Sequence, residues 1–179
     1  RNFLIFAVII SALLRMFHYF RSEIDFSQTN EQGWLWQPVA FLFETPLYSA
    51  IGSAISVVII AWMVNHINET HVLIRKKTLL PVGIVVLLFS ILPVQLVMTP
   101  AYIGIIVLLW GINRLFFAHS QENNQTIVFK SSFYLAFGSL FAPALLLYFP
   151  VLWLCFIRIR SFGIKSFFAS LLSIFVFYI

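Results

Sequence analysis

The sequence predicts an all-α protein: a polytopic transmembrane helical bundle of about seven apolar segments, including a hairpin of short helices over 133–160, with a cytoplasmic N-terminus. Three observations lead there. Of 179 residues, 61% are hydrophobic and only 9% charged, where a soluble domain has about 45–50% and about 25%. Eleven basic and six acidic side chains cannot cover a globule of this size, which excludes a soluble enzyme. The apolar residues fall in runs near the length, about 20 residues, that crosses a hydrocarbon core of about 30 Å as helix. The basic residues collect between these runs, the pattern that orients membrane proteins, so the net charge of +5 implies no nucleic-acid partner. A single Cys and no short repeat exclude a disulfide-stapled module or a fibrous chain.

The first run covers 3–20, interrupted by Arg15 and His18. No small-residue cleavage site follows it, so it is expected to be a retained helix. After a polar stretch over 21–37, the second run extends over 38–64. Its Glu44-Thr45-Pro46 step predicts a break, with Pro46 near a helix N-terminus, where a missing N–H costs least. Residues 65–78 are polar and end in Arg75-Lys76-Lys77. The third and fourth runs, 79–98 and 102–117, are separated only by Thr99-Pro100-Ala101, a tight helical hairpin. A polar loop over 119–126 precedes the apolar stretch 133–157, which contains Pro143 and Pro150, and a last run spans 167–179. The chain opens at Arg1 without Met and stops inside an apolar run. The single transmembrane domain over 1–179 is therefore expected to be truncated at its C-terminus.

Charge decides how 133–157 crosses. A single crossing sends Arg158, Arg160 and Lys165 to the side opposite Arg75, Lys76 and Lys77, against the positive-inside rule. A turn near Tyr148-Phe149-Pro150 keeps every basic cluster on one face, so a hairpin is expected, with limbs 133–147 and 151–160. The cytoplasmic side then holds Arg1, Arg75, Lys76, Lys77, Arg114, Lys130, Arg158, Arg160 and Lys165. The outer side holds Arg21, Glu23, Asp25 and Glu31, with Trp34 and Trp36 as membrane-surface anchors.

Charges inside a span cost about 2.5–3.5 kcal/mol each on the translocon scale, so Arg15 and Glu44 need partners. Counted at about 1.5 Å per residue, both lie about 8 Å below the outer ends of antiparallel spans, which predicts an Arg15–Glu44 pair with His18 as a further polar partner. Glu23, Asp25 and Glu31 of the first outer loop are candidates for a general base or a metal ligand should a cavity bring them near that pair. His18, His66, His71 and His119 are scattered over separate segments and form no metal motif. Phosphate loops and nucleophile elbows are absent, so no cofactor is expected. Cys155 reads as a small buried hydrophobe. The triplets Asn68-Glu69-Thr70 and Asn124-Gln125-Thr126 match a glycosylation signal by chance, in loops assigned to the cytoplasm. Gln95 with Pro93 and Pro100 is a candidate lining for a polar cavity, and Gly83, Gly104, Gly138 and Ser139 for close helix contacts.

The stretch Phe43-Glu44-Thr45-Pro46-Leu47-Tyr48-Ser49, and Gly138-Ser139-Leu140-Phe141 through Tyr148-Phe149-Pro150, together with the spacing of the runs, resemble an uncharacterised family of multi-pass inner-membrane proteins of the Bacteroidetes. The resemblance covers nearly the whole chain through short, mostly apolar motifs. It implies an envelope location, a helical membrane fold and a chain continuing past Ile179. More distantly, the short-helix hairpin with its basic turn, and the acidic first outer loop, look like the membrane domain of polyprenyl-phosphate-dependent glycosyltransferases of the C type. In that superfamily an acidic residue of the first outer loop is catalytic, which by position implies Asp25 or Glu23. The loop here is short and lacks a paired acidic motif, a departure from that pattern.

Small size, sparse polar chemistry and abundant Phe lead to the expectation of a non-catalytic inner-membrane subunit acting in envelope assembly or transport. Its expected partners are membrane lipid and other integral proteins. A lipid-linked sugar transferase is the alternative and a small transporter a third.

Overall fold

The computed structural model describes residues 2–21, 33–71, 79–116, 124–158 and 164–178. Among them every regular element is helical: α1 (Asn2–Arg21), α2 (Gln37–Ala40), α3 (Pro46–His71), α4 (Leu80–Ile91), α5 (Pro100–Phe116), α6 (Asn124–Ser139), α7 (Phe149–Arg158) and α8 (Ile164–Tyr178). Three 3₁₀ turns, Phe41–Phe43, Pro93–Leu96 and Pro143–Tyr148, interleave with these. Two helices, Phe3–Arg21 and Pro46–His71, are long and apolar enough to cross a membrane. By its internal contacts the structure groups into two compact units: Arg1–Asn30 with Gln37–Tyr102, and Glu31–Trp36 with Ile103–Ile179.

In the first unit α1 packs against α4, and α4 against α3. Phe3 and Ala7 of α1 meet Gly83 of α4, Ser11 meets Ser90, and His18 meets Ile91. The pairing ascends along both helices, so α1 and α4 run parallel. The break expected at Glu44-Thr45-Pro46 is present: a 3₁₀ turn ends at Phe43 and α3 starts at Pro46. α3 then runs beyond the predicted apolar limit to His71, its last turns carrying an Asn65 Nδ2 to Glu69 Oε1 bond of 3.1 Å and a stacked Trp62–His66 pair. The third apolar run is helical only to Ile91. Leu92 is extended (φ −96°, ψ 132°), as the residue before a proline prefers, and Pro93 opens the 3₁₀ turn.

In the second unit Gly104 of α5 lies against Gly138, Ala142 and Leu145, and Gly111 against Ser131 and Tyr134, so α5 and α6 are antiparallel. At Gly104 an added Cβ would stand 2.5 Å from Leu145 Cδ1, which would have to shift, and at ordinary contact distance, 3.6 Å, from the Gly138 carbonyl, so the small residue lets the two helices approach. Phe133 packs on Phe177 with ring centroids 4.8 Å apart, and Ser139 Oγ lies 3.0 Å from Tyr178 Oη. Ser173 Oγ approaches the Phe129 carbonyl at 3.5 Å. This pairing ascends in both helices, so α6 and α8 are parallel and the chain between them must return. Trp153 of α7 accordingly bonds Ser170 of α8 at 3.0 Å. The reversal expected over 133–160 is present, but its break lies at Leu140–Ala142 and not at Tyr148-Phe149-Pro150. Pro143 disfavours helix at Ala142, which is extended (φ −130°, ψ 99°). Pro150 sits at the second position of α7, where the missing N–H breaks nothing. Leu135, Ala136, Ala142, Leu145 and Phe149 form the buried cluster of this unit.

The break is closed from a distant part of the sequence. The turn at Gly33 donates from Gly33 N–H to the Phe141 carbonyl (3.0 Å) and from Leu35 N–H to the Leu140 carbonyl (3.3 Å), satisfying acceptors that α6 leaves free where it ends. An added Cβ at Gly33 would collide with the Leu140 carbonyl and stand 2.6 Å from that of Phe141. Trp36 is fully buried whereas Trp34 is 88% exposed. Of the two surface anchors expected from sequence, Trp36 is thus a core residue.

The outside of the fold is apolar, and serines share the interior with the hydrophobic core. Among the described residues every buried polar side chain but Asn68 is a serine. Large apolar side chains stand outside, with Leu147, Ile164 and Phe20 at 79%, 79% and 75% exposure. In α8 the buried positions are Ser166, Ser170 and Ser173, while Phe168, Leu172 and Phe175 face outward.

Candidate functional site

Arg15, two-thirds of the way along α1, is the centre of a polar cluster within the first unit. Its Nε donates to Ser90 Oγ, Nη1 to Ser53 Oγ and Nη2 to the Phe89 carbonyl, each at 3.3 Å. Tyr102, at the start of α5, packs its ring on Phe89 with centroids 5.6 Å apart. The acceptors are themselves held. Ser90 donates to the Val86 carbonyl (2.8 Å) and is bonded to Ser11, four residues before Arg15 on the same face of α1. Ser53 Oγ has the Leu96 and Ala50 carbonyls at 2.9 and 3.0 Å. The Tyr102 hydroxyl donates to the Gln95 carbonyl at 2.6 Å, with Gln95 Oε1 at 3.0 Å. Met98 N–H donates to Ser49 at 2.7 Å, fixing the extended segment after the 3₁₀ turn against α3.

Of the polar trio predicted from sequence, Arg15 and His18 face α4. His18 Nε2 lies 3.1 Å from the Ile91 carbonyl, a contact that requires the ring nitrogen to donate. Glu44 is not brought to Arg15. It is exposed and precedes α3, because the 41–43 turn and the restart at Pro46 hold it outside the helix whose depth was counted from residue 38. The cluster is therefore an arginine with neutral partners, not an ion pair. Asp25 and Glu23, candidates for catalysis, lie outside the described residues. Gln95, expected with Pro93 and Pro100 to line a polar cavity, accepts from the Tyr102 hydroxyl beside this cluster, whereas Ser11, Ser53, Ser90 and Tyr102 escaped the sequence reading. A signal existed: Ser11 at i−4 from Arg15, and Ser49, Ser53 and Ser56 at helical spacing on α3.

Chemically, the arrangement spreads one positive charge over a fork of three donors, two aimed at uncharged oxygens of α4 and one at a serine of α3. It fastens α1 to α4 and to α3. Among the described residues no carboxylate pairs with it, and no group of three His, Cys, Asp or Glu could hold a metal ion. The second unit carries a separate, largely apolar cavity of about 340 Å³, lined by Gly33, Trp34, Pro143, Leu146 and Phe177, with the Ser139–Tyr178 hydroxyl pair at its polar end. No family model, curated protein or solved structure matches the chain.

Proposed function

We propose that this chain is a multi-pass integral protein of the bacterial inner membrane, N-terminus inside, serving as a non-catalytic subunit of a membrane complex in envelope assembly or transport. The apolar outer faces and the buried serines carry the reading. Serine faces turned inward and Phe, Leu and Ile faces turned outward are favourable only in a solvent as apolar as lipid, where small polar residues let helices approach and bond across the contact. The cluster at Arg15 adds to it, since its fork is engaged by the fold's own oxygens in the manner of a structural fastening.

The apolar cavity at Ser139 and Tyr178 favours a second reading, a lipid-linked sugar transferase of the inner membrane, with Asp25 or Glu23 as its acidic residue. One set of experiments separates the two. Cysteines placed in turn at Ser27, Ser120 and Ser161 should label from outside at Ser27 only. Purification in mild detergent should recover a stoichiometric integral partner, and Asp25→Asn with Glu23→Gln should be silent in complementation. A stable, inactive Asp25→Asn protein carrying bound polyprenyl lipid and no partner would replace the first reading with the second. Labelling of Ser161 from outside would remove the proposed topology.

A further inference from the structure

Between α5 and α6 lies an open groove of about 320 Å³ lined by Arg114, Phe129, Lys130, Phe133 and Tyr134. Arg114 is in the last turn of α5, and antiparallel packing sets it beside Lys130, in the second turn of α6. Both cations are exposed, and neither makes an ion pair among the described residues. The aromatic residues continue the groove along the helices. Trp110, one turn or about 6 Å from Arg114, stacks on Tyr134 with 6.5 Å between ring centroids and 17° between planes. The Phe129 and Phe133 ring centroids lie 6.1 Å apart with 40° between planes. The groove thus has two cations and an aromatic wall. Residues 103–179 carry five cations against one acid, Glu122, which lies in the connector outside the described residues.

We infer that this groove binds an anionic glycerophospholipid, its phosphate between Arg114 and Lys130 and its chains along Phe133, Tyr134 and Trp110. The inference rests on the membrane reading above. Two cations in one groove match a phosphate, and the aromatic wall beside them matches the acyl chains that a free anion lacks. Basic pockets between helices on the cytoplasmic side hold such headgroups, with about a fivefold preference contributed per cation.

The test uses the full chain, purified from carbonate-washed membranes and exposed to equimolar phosphatidylglycerol and phosphatidylcholine, with bound lipid read by native mass spectrometry. Phosphatidylglycerol should be preferred, and Arg114→Gln with Lys130→Gln should lower the preference about 25-fold. The same charge loss at Arg158→Gln with Lys165→Gln should change it less than twofold. Should the double variant not be recovered, each single variant carries the test with about a fivefold fall. Equal falls in the two double variants would reduce the effect to a diffuse surface field and overturn the site. Displacement of the lipid by millimolar inorganic phosphate would overturn the lipid as occupant. Release of the wild-type chain by the carbonate wash would instead sink the membrane reading itself.

Discussion

Arg15 shows how far single residues were legible. A charge within an apolar run is costly enough to announce a site, and it did. Its acceptors stayed hidden because serines in a helix are uncharged, cheap to place and silent about which face they occupy. Glu44 was assigned as partner by counting depth along a helix that begins only at Pro46. The replacement of an ion pair by neutral oxygens makes a sharp expectation for substitutions. Arg15→Met removes the charge and leaves Ser53 and Ser90 with their carbonyl partners. Arg15→Lys keeps the charge but loses the planar fork that reaches Ser90, Ser53 and Phe89 together. Lysine should therefore be the more damaging of the two, by about 1–3 kcal/mol, in thermal unfolding of the detergent-solubilised protein. A lysine variant more stable than the methionine one would mean that the position requires charge and not the fork.

At the scale of elements, proline announced the boundaries but not which proline ruled. Pro46 starts a helix as read, while Pro100, read as part of the turn before residue 102, itself starts α5. Pro143 and Pro150 look alike in sequence, yet one ends up after an extended Ala142 and the other inside the first turn of α7. What distinguishes them is tertiary: the Gly33 turn supplies two N–H donors to the carbonyls at Leu140 and Phe141, so the chain can afford to leave the helix there. Gly33→Ala should push the turn away and strip both bonds, costing about 2–4 kcal/mol as two acceptors lose their donors. The loss should localise. Hydrogen exchange at Ala142 and Leu145, whose N–H groups bond back to Gly138 and Ala142, should quicken while the Arg15 cluster is unchanged. Unaltered exchange there would show that the break stands on Pro143 alone.

For the molecule as a whole, helical class and the positions of the apolar runs were readable because hydropathy reports them directly. The division into two units was not, since its boundary falls within α5, between Tyr102 and Ile103, with no linker composition to mark it. The fastening of α1 also has a consequence in time. Ribosomes add about 5–20 residues per second, and Ser90 lies 75 residues after Arg15, so roughly 4–15 s separate the synthesis of the cation from that of its acceptor. In a membrane chain, α1 entering lipid alone would bear the full penalty of its arginine, about 2.5–3.5 kcal/mol. The nascent chain is thus expected to linger beside the insertion machinery until α4 emerges. In stalled-translation crosslinking, α1 should contact that machinery in chains halted before Ser90 and lose the contact in chains halted well beyond it. Early release of α1 from the shorter chains would mean that its arginine finds another shelter first, and the order in which this protein is made would then impose no waiting step on its assembly.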